Sequence, residues 1–294
     1  MLRRIKVLIA SRRLFNNWLS AGIKYYLIRH SIIKGSITIK CCSNEYVLSP
    51  RLFSNIINAY YDNVFEELEC GDSLYAVFTY RGWKIRFCDS FEFLRDIVFE
   101  NFIGGAYDDI DVGNRVVIDV GAGVGDTAIL FSLKGARRVI ALEPFPSLFK
   151  KALINIKING VEDRVSLINA GIASFDGEVY AELSDIYDYY LFKPSGKYDV
   201  KVRMYTLNSL IKKFGIKEGS ILKVDCEGCE YETMLNARSE DLTVFDQIII
   251  EYHNGYIELK RILEDAGFET IIKPIRSIRQ PVEKQGYIVA RRKT

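Results

Sequence analysis

The sequence predicts an open, doubly wound α/β sheet, mostly parallel, that fills the larger C-terminal part of the 294-residue chain. Three observations predict it. From residue 116 onward, short β-branched runs alternate with helical segments, which is the rhythm of βαβ units in a parallel sheet. The first run, 116–120, is almost entirely Val and Ile, as expected for a strand buried on both faces. Glycines at 121, 123 and 125 then favour a tight turn into a helix beside a ligand.

The remaining elements of the sheet follow from the same periodicity. Strands are expected at residues 116–120, 138–142, 165–169, 221–225 and 247–252. Helices are expected near residues 126–133, 147–158, 206–214, 229–237 and 256–266. The segments 268–272 and 287–290 are expected to close the sheet as an antiparallel hairpin, so that seven strands are predicted in total.

Three regions are predicted along the chain: a basic amphipathic helical region at 1–34, a small α/β cap at 35–110 and the main domain at 111–294. The cap is expected to mix short strands with helices. Its predicted strands are 36–40, 74–80 and 83–88, and its predicted helices are 51–60 and 91–102. The doubly wound sheet is therefore expected to follow an N-terminal helical and α+β extension.

The N-terminal region is strongly basic, although the net charge of the whole chain is only +2. Residues 1–44 contain nine Lys or Arg and no Asp or Glu, which leaves residues 45–294 with a net charge of −7. The longest uncharged stretch of this region, Leu14–Ile23, is far too short to span a bilayer. A basic amphipathic helix can lie on an anionic membrane surface. Packing on the main domain or on a second subunit is the simpler interpretation, and both stay open.

The six cysteines predict reduced thiols and a cytoplasmic location. The apolar run Val7–Ala10 is too short for the core of a secretory signal, and Arg12 interrupts it. Cys226 and Cys229 form one C-x-x-C with no second pair, so small buried filler residues are favoured over a zinc or redox site. Peripheral membrane contact through residues 1–34 is compatible with this location.

The glycine turn departs from the motifs of two common nucleotide sites. A dinucleotide site of the G-x-G-x-x-G type requires glycine at position 126, where this chain has Asp, and the G-K-[ST] of a phosphate-binding loop is missing. The spacing D-x-G-x-G-x-G, which begins at Asp119, instead resembles motif I of class I S-adenosylmethionine (SAM) methyltransferases. An acid suits SAM, which carries an ammonium and a sulfonium but no pyrophosphate. The resemblance implies that SAM is the cofactor and that its site includes Asp119, Gly121, Ala122, Gly123 and Gly125.

Two further strand ends are candidate cofactor contacts. Glu143 ends the second strand, 18 residues beyond Gly125, where a carboxylate can accept two hydrogen bonds from a ribose diol. Asn169 and Ala170 follow the third strand, where an adenine ring would lie. Asn169 can bind the adenine edge or can be an ordinary loop residue, and the sequence favours neither.

A second block, Leu222–Glu230, narrows the resemblance. Together with motif I it resembles the FkbM family of SAM-dependent methyltransferases. That family pairs V-I-D-V-G-A-x-x-G-D with K-x-D-x-E-G-x-E at the fourth strand, after a T-L-x-S-L segment. Here the segment is Thr206–Leu210, with Asn208 where the family often has Asp. The resemblance covers roughly residues 95–290 and implies the class I methyltransferase fold, with seven strands and an antiparallel C-terminal hairpin.

Four side chains are predicted to meet where the SAM methyl group points. In the class I strand order, the fourth and fifth strands lie side by side next to the first, and ligands sit outside the carboxyl ends of such strands. The candidate catalytic residues are therefore Asp225, Glu227, Glu251 and His253. They can hold a divalent cation that acidifies an acceptor hydroxyl, or one of them can act as general base without a metal. If the base is a histidine, it is His253.

The predicted function is methyl transfer from SAM to a hydroxyl of a sugar, glycan or other small-molecule acceptor. Asp225–Gly228 replaces the [DN]-P-P-[YF] motif of enzymes that methylate base amino groups, which argues against flipped bases and nucleic-acid partners. Tyrosines and acids at 185–192 form either an acceptor wall or, by preference, an edge hairpin. Two alternatives stay open: RNA methylation through the basic N-terminus, and a non-catalytic or NAD-binding Rossmann-like protein. A homo-oligomer is compatible with all of these.

Overall fold

The computed structural model describes residues 2–88, 90–181, 200–275, 281 and 283–293. The segment 185–192, predicted as an edge hairpin or an acceptor wall, lies outside these residues. The chain forms two compact units, Met1–Gly105 and Ala106–Thr294.

The first unit begins with two helices, α1 (Leu2–Ala10) and α2 (Trp18–Arg29), with a 3₁₀ turn between them at Ser11–Arg13. The two helices are in contact at Gly22 and Leu8. They pack so closely there that a Cβ on Gly22 would collide with the side chain of Leu8. This arrangement agrees with the helical periodicity of the N-terminal sequence. No helix of the described ranges is both long and apolar enough to cross a membrane.

Short strands and one longer helix complete the first unit. Its remaining elements are β1 (Ile37–Cys41), β2 (Asn44–Leu48), α3 (Pro50–Tyr61), β3 (Glu67–Cys70), β4 (Leu74–Tyr80), β5 (Trp83–Cys88), α4 (Leu94–Asp96) and a π-helix (Ile97–Ile103). β1 and β2 pair as a hairpin, and β3, β4 and β5 form an antiparallel sheet in that order. The expected single α-helix over 91–102 is wrong, because the backbone there changes from a short α-turn to a π-helix.

The second unit contains ten further strands and six further helices within the described residues. Its strands are β6 (Val116–Val120), β7 (Arg138–Leu142), β8 (Val165–Ile168), β9 (Ala170–Ile172), β10 (Gly177–Ala181), β11 (Val200–Tyr205), β12 (Ser220–Val224), β13 (Phe245–Tyr252), β14 (Phe268–Pro274) and β15 (Gly286–Arg292). Its helices are α5 (Asp126–Leu133), α6 (Pro146–Ile158), α7 (Leu207–Phe214), α8 (Cys229–Asn236), α9 (Ser239–Leu242) and α10 (Ile257–Asp265).

Seven of these strands form one sheet, in the spatial order β14-β15-β13-β12-β6-β7-β8. The neighbours from β13 to β8 pair in parallel, whereas β15 is antiparallel to both β13 and β14. The predicted mostly parallel sheet with an antiparallel C-terminal hairpin is therefore confirmed. β12 lies directly between β6 and β13, which places the carboxyl ends of all three strands together.

The alternation of side chains along these strands decides which residues face the core and which face the site. Ile118 on β6 and Leu222 on β12 point into a buried apolar cluster that includes side chains from α7, α8 and α10. Asp119 and Lys223, one residue further along, point to the opposite face of the sheet. They are also register partners across the β6–β12 pair.

A second small sheet was not foreseen from the sequence. β9 lies in the stretch between the predicted strand at 165–169 and the predicted helix at 206–214. It pairs in parallel with β11, and β11 pairs antiparallel with β10. β9 has only three residues, Ala-Gly-Ile, so it shows neither a β-branched run nor a detectable alternation. It forms because β11 supplies its hydrogen-bond partners.

The cysteines correct one expectation. Cys41 and Cys70 form a disulfide between the ends of β1 and β3, with Cα atoms 6.0 Å apart, and Cys226 and Cys229 form a second, with Cα atoms 5.5 Å apart. The prediction that these four cysteines are reduced thiols is wrong, and so is the interpretation of Cys226 and Cys229 as filler residues, because the fold brings each pair within bonding distance. Cys42 and Cys88 remain thiols. The predicted cytoplasmic location loses its main argument, since disulfides are typical of oxidising compartments.

Candidate cofactor and acceptor site

The glycine turn between β6 and α5 leaves room for a ligand at one position. Gly121, Gly123 and Gly125 all have positive φ angles, of 77°, 53° and 88°. A Cβ on Gly121 would collide with the carbonyl oxygen of Asp225, and one on Gly125 would lie 3.3 Å from Ala152. A Cβ on Gly123 would meet nothing closer than 3.7 Å. Gly121 and Gly125 are thus needed for packing inside the protein, whereas Gly123 faces open space that a cofactor can fill.

Ala122 fixes this turn from inside. Its side chain is buried, and its backbone N–H donates a 2.9 Å hydrogen bond to the carbonyl oxygen of Leu142 at the end of β7. The backbone N–H of Gly121 donates to the same oxygen at 3.0 Å. The turn is therefore attached to the next strand of the sheet, which is where Glu143 begins.

Asp119 is completely buried and paired beneath the turn. The Oγ1 of Thr127 donates a 2.6 Å hydrogen bond to its Oδ2, and the Nζ of Lys223 lies 3.0 Å from its Oδ1. A buried carboxylate requires such partners, because desolvation of an unpaired charge is very costly. Its position indicates that Asp119 supports the turn from below rather than reaching a ligand with its side chain.

Lys223 connects the cofactor turn to the acceptor end of the site. Its Nζ donates to the carbonyl oxygen of Gly121 at 2.8 Å and lies 3.6 Å from the Oδ2 of Asp225. Burial opposes its positive charge, but the carboxylates of Asp119 and Asp225 outweigh burial and raise the pKa of Lys223. One ammonium group thus neutralises an acid from each of two neighbouring strands. The sequence carried a signal for this role, since a lysine in a fully buried strand needs a buried counter-charge.

Glu143 lies beside the open position of the turn. It is buried, its Oε2 accepts a 2.9 Å hydrogen bond from the backbone N–H of Gly123, and its Oε1 accepts one of 2.8 Å from that of Phe145. Burial outweighs these hydrogen bonds and raises the pKa of Glu143 to about 8. Each carboxylate oxygen can accept a further hydrogen bond, so the group can still bind a diol.

Asn169 and Ala170 lie at the next strand end. The Nδ2 of Asn169 donates to the carbonyl oxygens of Glu143 and Pro144, at 2.8 and 3.0 Å. Its amide nitrogen therefore holds the chain after β7, which agrees with the structural interpretation of this residue. The side chain of Ala170 is fully buried in β9.

The four predicted catalytic residues meet at the ends of β12 and β13. The Nε2 of His253 lies 3.3 Å from the Oε2 of Glu227 and 3.7 Å from the Oε1 of Glu251. Asp225, Glu251 and His253 each offer one ligand atom, and the three atoms lie within 4.8 Å of one another. The Oδ2 of Asp225 also accepts a 3.3 Å hydrogen bond from the hydroxyl of Tyr107. The sheet order thus produces the predicted cluster.

Glu230 belongs to this cluster although it was not among the candidates. It is fully buried, and its Oε1 accepts a 2.8 Å hydrogen bond from the Nδ1 of His253. Burial alone would lower the pKa of His253, but the hydrogen bond to Glu230 and the charges of Glu227 and Glu251 raise it to about 9. The imidazole is therefore positively charged at neutral pH. This differs from the neutral histidine that a general base requires.

The turn that carries Glu227 is held in an uncommon conformation. Glu227 has a φ of 56° and Gly228 a φ of 117°, and the backbone N–H of Gly228 donates a 2.8 Å hydrogen bond to the Oε2 of Glu230. The Cys226–Cys229 disulfide closes around these two residues. A non-glycine residue with positive φ persists only where its surroundings require it, and such residues cluster at functional sites.

Three features together define a class I SAM-dependent methyltransferase fold: the strand order of the sheet, the glycine turn after the central strand β6, and the buried acid Glu143 after the neighbouring strand β7. The family profile of the methyltransferase FkbM domain matches residues 119–287, which is more than half of the chain. The chain therefore belongs to the FkbM family of methyltransferases.

Known relatives resemble parts of the chain. The hexuronic acid methyltransferase AglP of Haloferax volcanii is 26% identical over 159 residues, which are 53% of this chain and 64% of that protein. A tRNA(Phe) (4-demethylwyosine(37)-C(7)) aminocarboxypropyltransferase of Pyrococcus horikoshii is 38% identical over 69 residues, which are 24% of this chain and 25% of that protein. The chain spans between 18% and 64% of the length of the curated relatives it matches.

Solved structures of methyltransferases are similar at low identity. The FkbM methyltransferase of Methylobacillus flagellatus KT has 13% identity and a TM-score of 0.40, over 69% of this chain and 54% of that chain. The SAM-bound magnesium protoporphyrin IX methyltransferase ChlM of Synechocystis PCC 6803 has 12% identity and a TM-score of 0.41, over 82% of this chain and 91% of that chain.

Proposed function

We propose that this protein transfers the methyl group of SAM to a hydroxyl group of a sugar or sugar-acid acceptor. The observation that best supports SAM as the cofactor is the hydrogen bond between the backbone N–H of Gly123 and the Oε2 of Glu143. This hydrogen bond places the free space at Gly123 beside Glu143, the acid that we expect to bind the ribose hydroxyls. Both residues follow the carboxyl ends of adjacent strands. Membership of the FkbM family supports the same cofactor. A hexuronic acid methyltransferase among the relatives supports a sugar-acid acceptor.

The cofactor residues divide into two roles in this proposal. Gly123 and Glu143 contact SAM, through the space above the glycine and through the ribose hydroxyls. Asp119, Gly121, Ala122 and Gly125 shape the turn from within the protein. Asn169 and Ala170 position the chain that follows β7 and β8, beside the expected place of the adenine ring.

Glu227 is the residue best placed to take a proton from the acceptor. Its side chain is 32% exposed, against 25% for Asp225 and 11% for Glu251, so it is the acid of the cluster most accessible to an incoming hydroxyl. SAM supplies an electrophilic methyl group on a sulfonium. The carboxylate of Glu227 accepts the proton of the acceptor hydroxyl. The hydroxyl oxygen would bond to the methyl carbon as the methyl–sulfur bond breaks, and S-adenosylhomocysteine would leave with that bond's electron pair on its sulfur. The charged imidazole of His253, 3.3 Å away, stabilises the negative charge that develops on the oxygen.

Glu143→Gln is expected to remove a pH dependence of cofactor binding. The carboxyl of Glu143 has a pKa of about 8, and ribose hydroxyls donate more strongly to its ionised form. Affinity for S-adenosylhomocysteine should therefore rise several-fold between roughly pH 6.5 and 9, and by at most about tenfold for each pH unit. The Gln variant should bind more weakly above pH 8 and show a flat profile by calorimetry. An equally steep profile in the variant would assign the titration to another group.

A divalent cation at Asp225, Glu251 and His253 is the alternative arrangement of the same cluster. The three ligand atoms are close enough for it, and the cation would have to displace the proton of His253. The metal-free arrangement predicts that treatment with EDTA, followed by dialysis, leaves the rate of S-adenosylhomocysteine release unchanged. Loss of that rate, and its recovery with Mg²⁺ or Mn²⁺, would establish the metal arrangement instead.

One assay separates the proposed function from its alternatives. Purified protein with SAM is tested for S-adenosylhomocysteine release with uronic acids, neutral sugars, lipid-linked glycans and RNA as acceptors. Release with a sugar or sugar acid supports the proposal, whereas release with RNA alone would replace it by RNA methylation. Tight binding of NAD without binding of SAM or S-adenosylhomocysteine, measured by calorimetry, would overturn both in favour of a non-methylating Rossmann-like protein.

A further inference from the structure

We propose that the helices α1 and α2 form a docking surface for an anionic lipid bilayer. The surface consists of the exposed residues of 3–34 and lies entirely within the first unit. It is independent of the methyl-transfer site and goes beyond the proposed function. Both contributions that peripheral membrane binding requires, positive charge and exposed apolar side chains, occur in this short segment.

The charge of the segment has one sign. Residues 1–44 contain nine Lys or Arg and no acid. Two of the nine pair with acids from later in the chain, Arg3 with Asp62 and Lys40 with Glu45. The exposed cations between them are Arg4, Lys6, Arg12, Arg13, Lys24, Arg29 and Lys34. Such a concentration attracts anionic headgroups and repels a second copy of itself.

Large apolar side chains accompany this charge on both helices. Ile5 and Ile9 lie one turn apart on α1, and Leu19, Ile23 and Tyr26 follow one another at helical spacing on α2. Each keeps between 47% and 59% of its surface exposed. The opposite sides of the same helices are covered, since Val7 and Ala21 are buried. These exposed side chains form one apolar stripe on each helix, and the stripes take no part in the packing of the helices. Among the residues that the structure describes, none covers them.

The two helices contact each other next to their exposed apolar side chains. Leu8 of α1 meets Gly22 of α2, and each contact residue is flanked by exposed apolar neighbours: Ile9 follows Leu8, and Ile23 follows Gly22. A bilayer surface accepts both parts of such a pattern, with isoleucines below the headgroups and cations among the phosphates. RNA offers phosphates but no environment for exposed aliphatic side chains. Helices of nine and twelve residues are also too short to span, so contact is expected to be peripheral.

Vesicle flotation of the full chain tests this surface. The protein should float with vesicles of phosphatidylcholine and phosphatidylglycerol at least about tenfold more than with phosphatidylcholine alone, and less at high salt. The double variant Ile9→Glu/Ile23→Glu should lose binding, whereas Val47→Glu, at a still more exposed apolar position on β2, should keep it.

Each other outcome contradicts the proposal. Equal binding to both vesicle types, or unchanged binding of the double variant, would exclude this surface as the membrane contact. A concentration-dependent dimer that the double variant abolishes, without vesicle binding, would assign the stripes to a second copy. Binding of RNA that depends on Lys24 but not on Ile23 would assign the charge to nucleic acid. Neither SAM nor an acceptor is present in these measurements, so their result does not depend on the proposed function.

Discussion

Gly123→Val is expected to abolish binding of SAM and S-adenosylhomocysteine while the protein stays folded. A Cβ at this position meets no protein atom within 3.7 Å, so a larger side chain projects into the space assigned to the cofactor. The remaining cost is conformational, because Gly123 has a φ of 53° and a β-branched residue there is strained by about 1–2 kcal/mol. Calorimetric titration should show at least about a hundredfold loss of affinity, which corresponds to roughly 2.7 kcal/mol.

Gly160→Val is the matched control for that change. Gly160 follows α6, has a φ of 64°, and a Cβ there meets nothing within 4 Å. The two variants should therefore lose similar thermal stability, but only the Gly123 variant should lose cofactor affinity. Normal binding by a folded Gly123→Val protein would show that the cofactor does not lie above this glycine. Gly121→Ala should behave differently from both and unfold the site, because its Cβ collides with the backbone of Asp225.

Glu227→Gln is expected to lower kcat by about 10²–10⁴-fold without changing the affinity for SAM. The amide keeps the size of the side chain and its position in the turn, but it cannot accept the proton of an acceptor hydroxyl. The KM for the acceptor should change little, since the loss is confined to the chemical step. Steady-state kinetics together with calorimetry of S-adenosylhomocysteine binding measures both quantities.

Glu240→Gln serves as the control for removal of an acid. Glu240 is a surface residue of α9 whose side chain is 69% exposed, and it lies outside the cluster. Its variant should retain the full rate. If Glu227→Gln also retained the full rate, proton removal would have to be assigned to Asp225 or Glu251, and the role of the turn would be structural.

Secondary structure was predictable in the second unit wherever a segment was long and periodic. The strand at 116–120 and the helix at 126–133 begin and end at the expected residues, because Val and Ile runs and the following glycines leave few alternatives. The three-residue strand β9 and the π-helix at Ile97–Ile103 were not predictable. Both depend on partners elsewhere in the chain, and neither has a periodic signal of its own.

The candidate site shows the same division. Asp225, Glu227, Glu251 and His253 were predicted to meet, because strand order alone brings the ends of β12 and β13 together. The charge state of His253 was not predictable. The proton on His253 depends on Glu230, which comes from the first turn of α8 and is close to the histidine only in the folded protein.

The sequence by itself determined the class of fold, the cofactor turn and the family of this protein, since these depend on local periodicity and on residues close together in the chain. The tertiary structure alone decided which glycine faces a ligand, how Lys223 neutralises Asp119, and which cysteines pair. The reason is physical: burial and electrostatic pairing act between atoms that are distant in sequence. Their effect on a side chain therefore exists only once the strands have taken their places in the sheet.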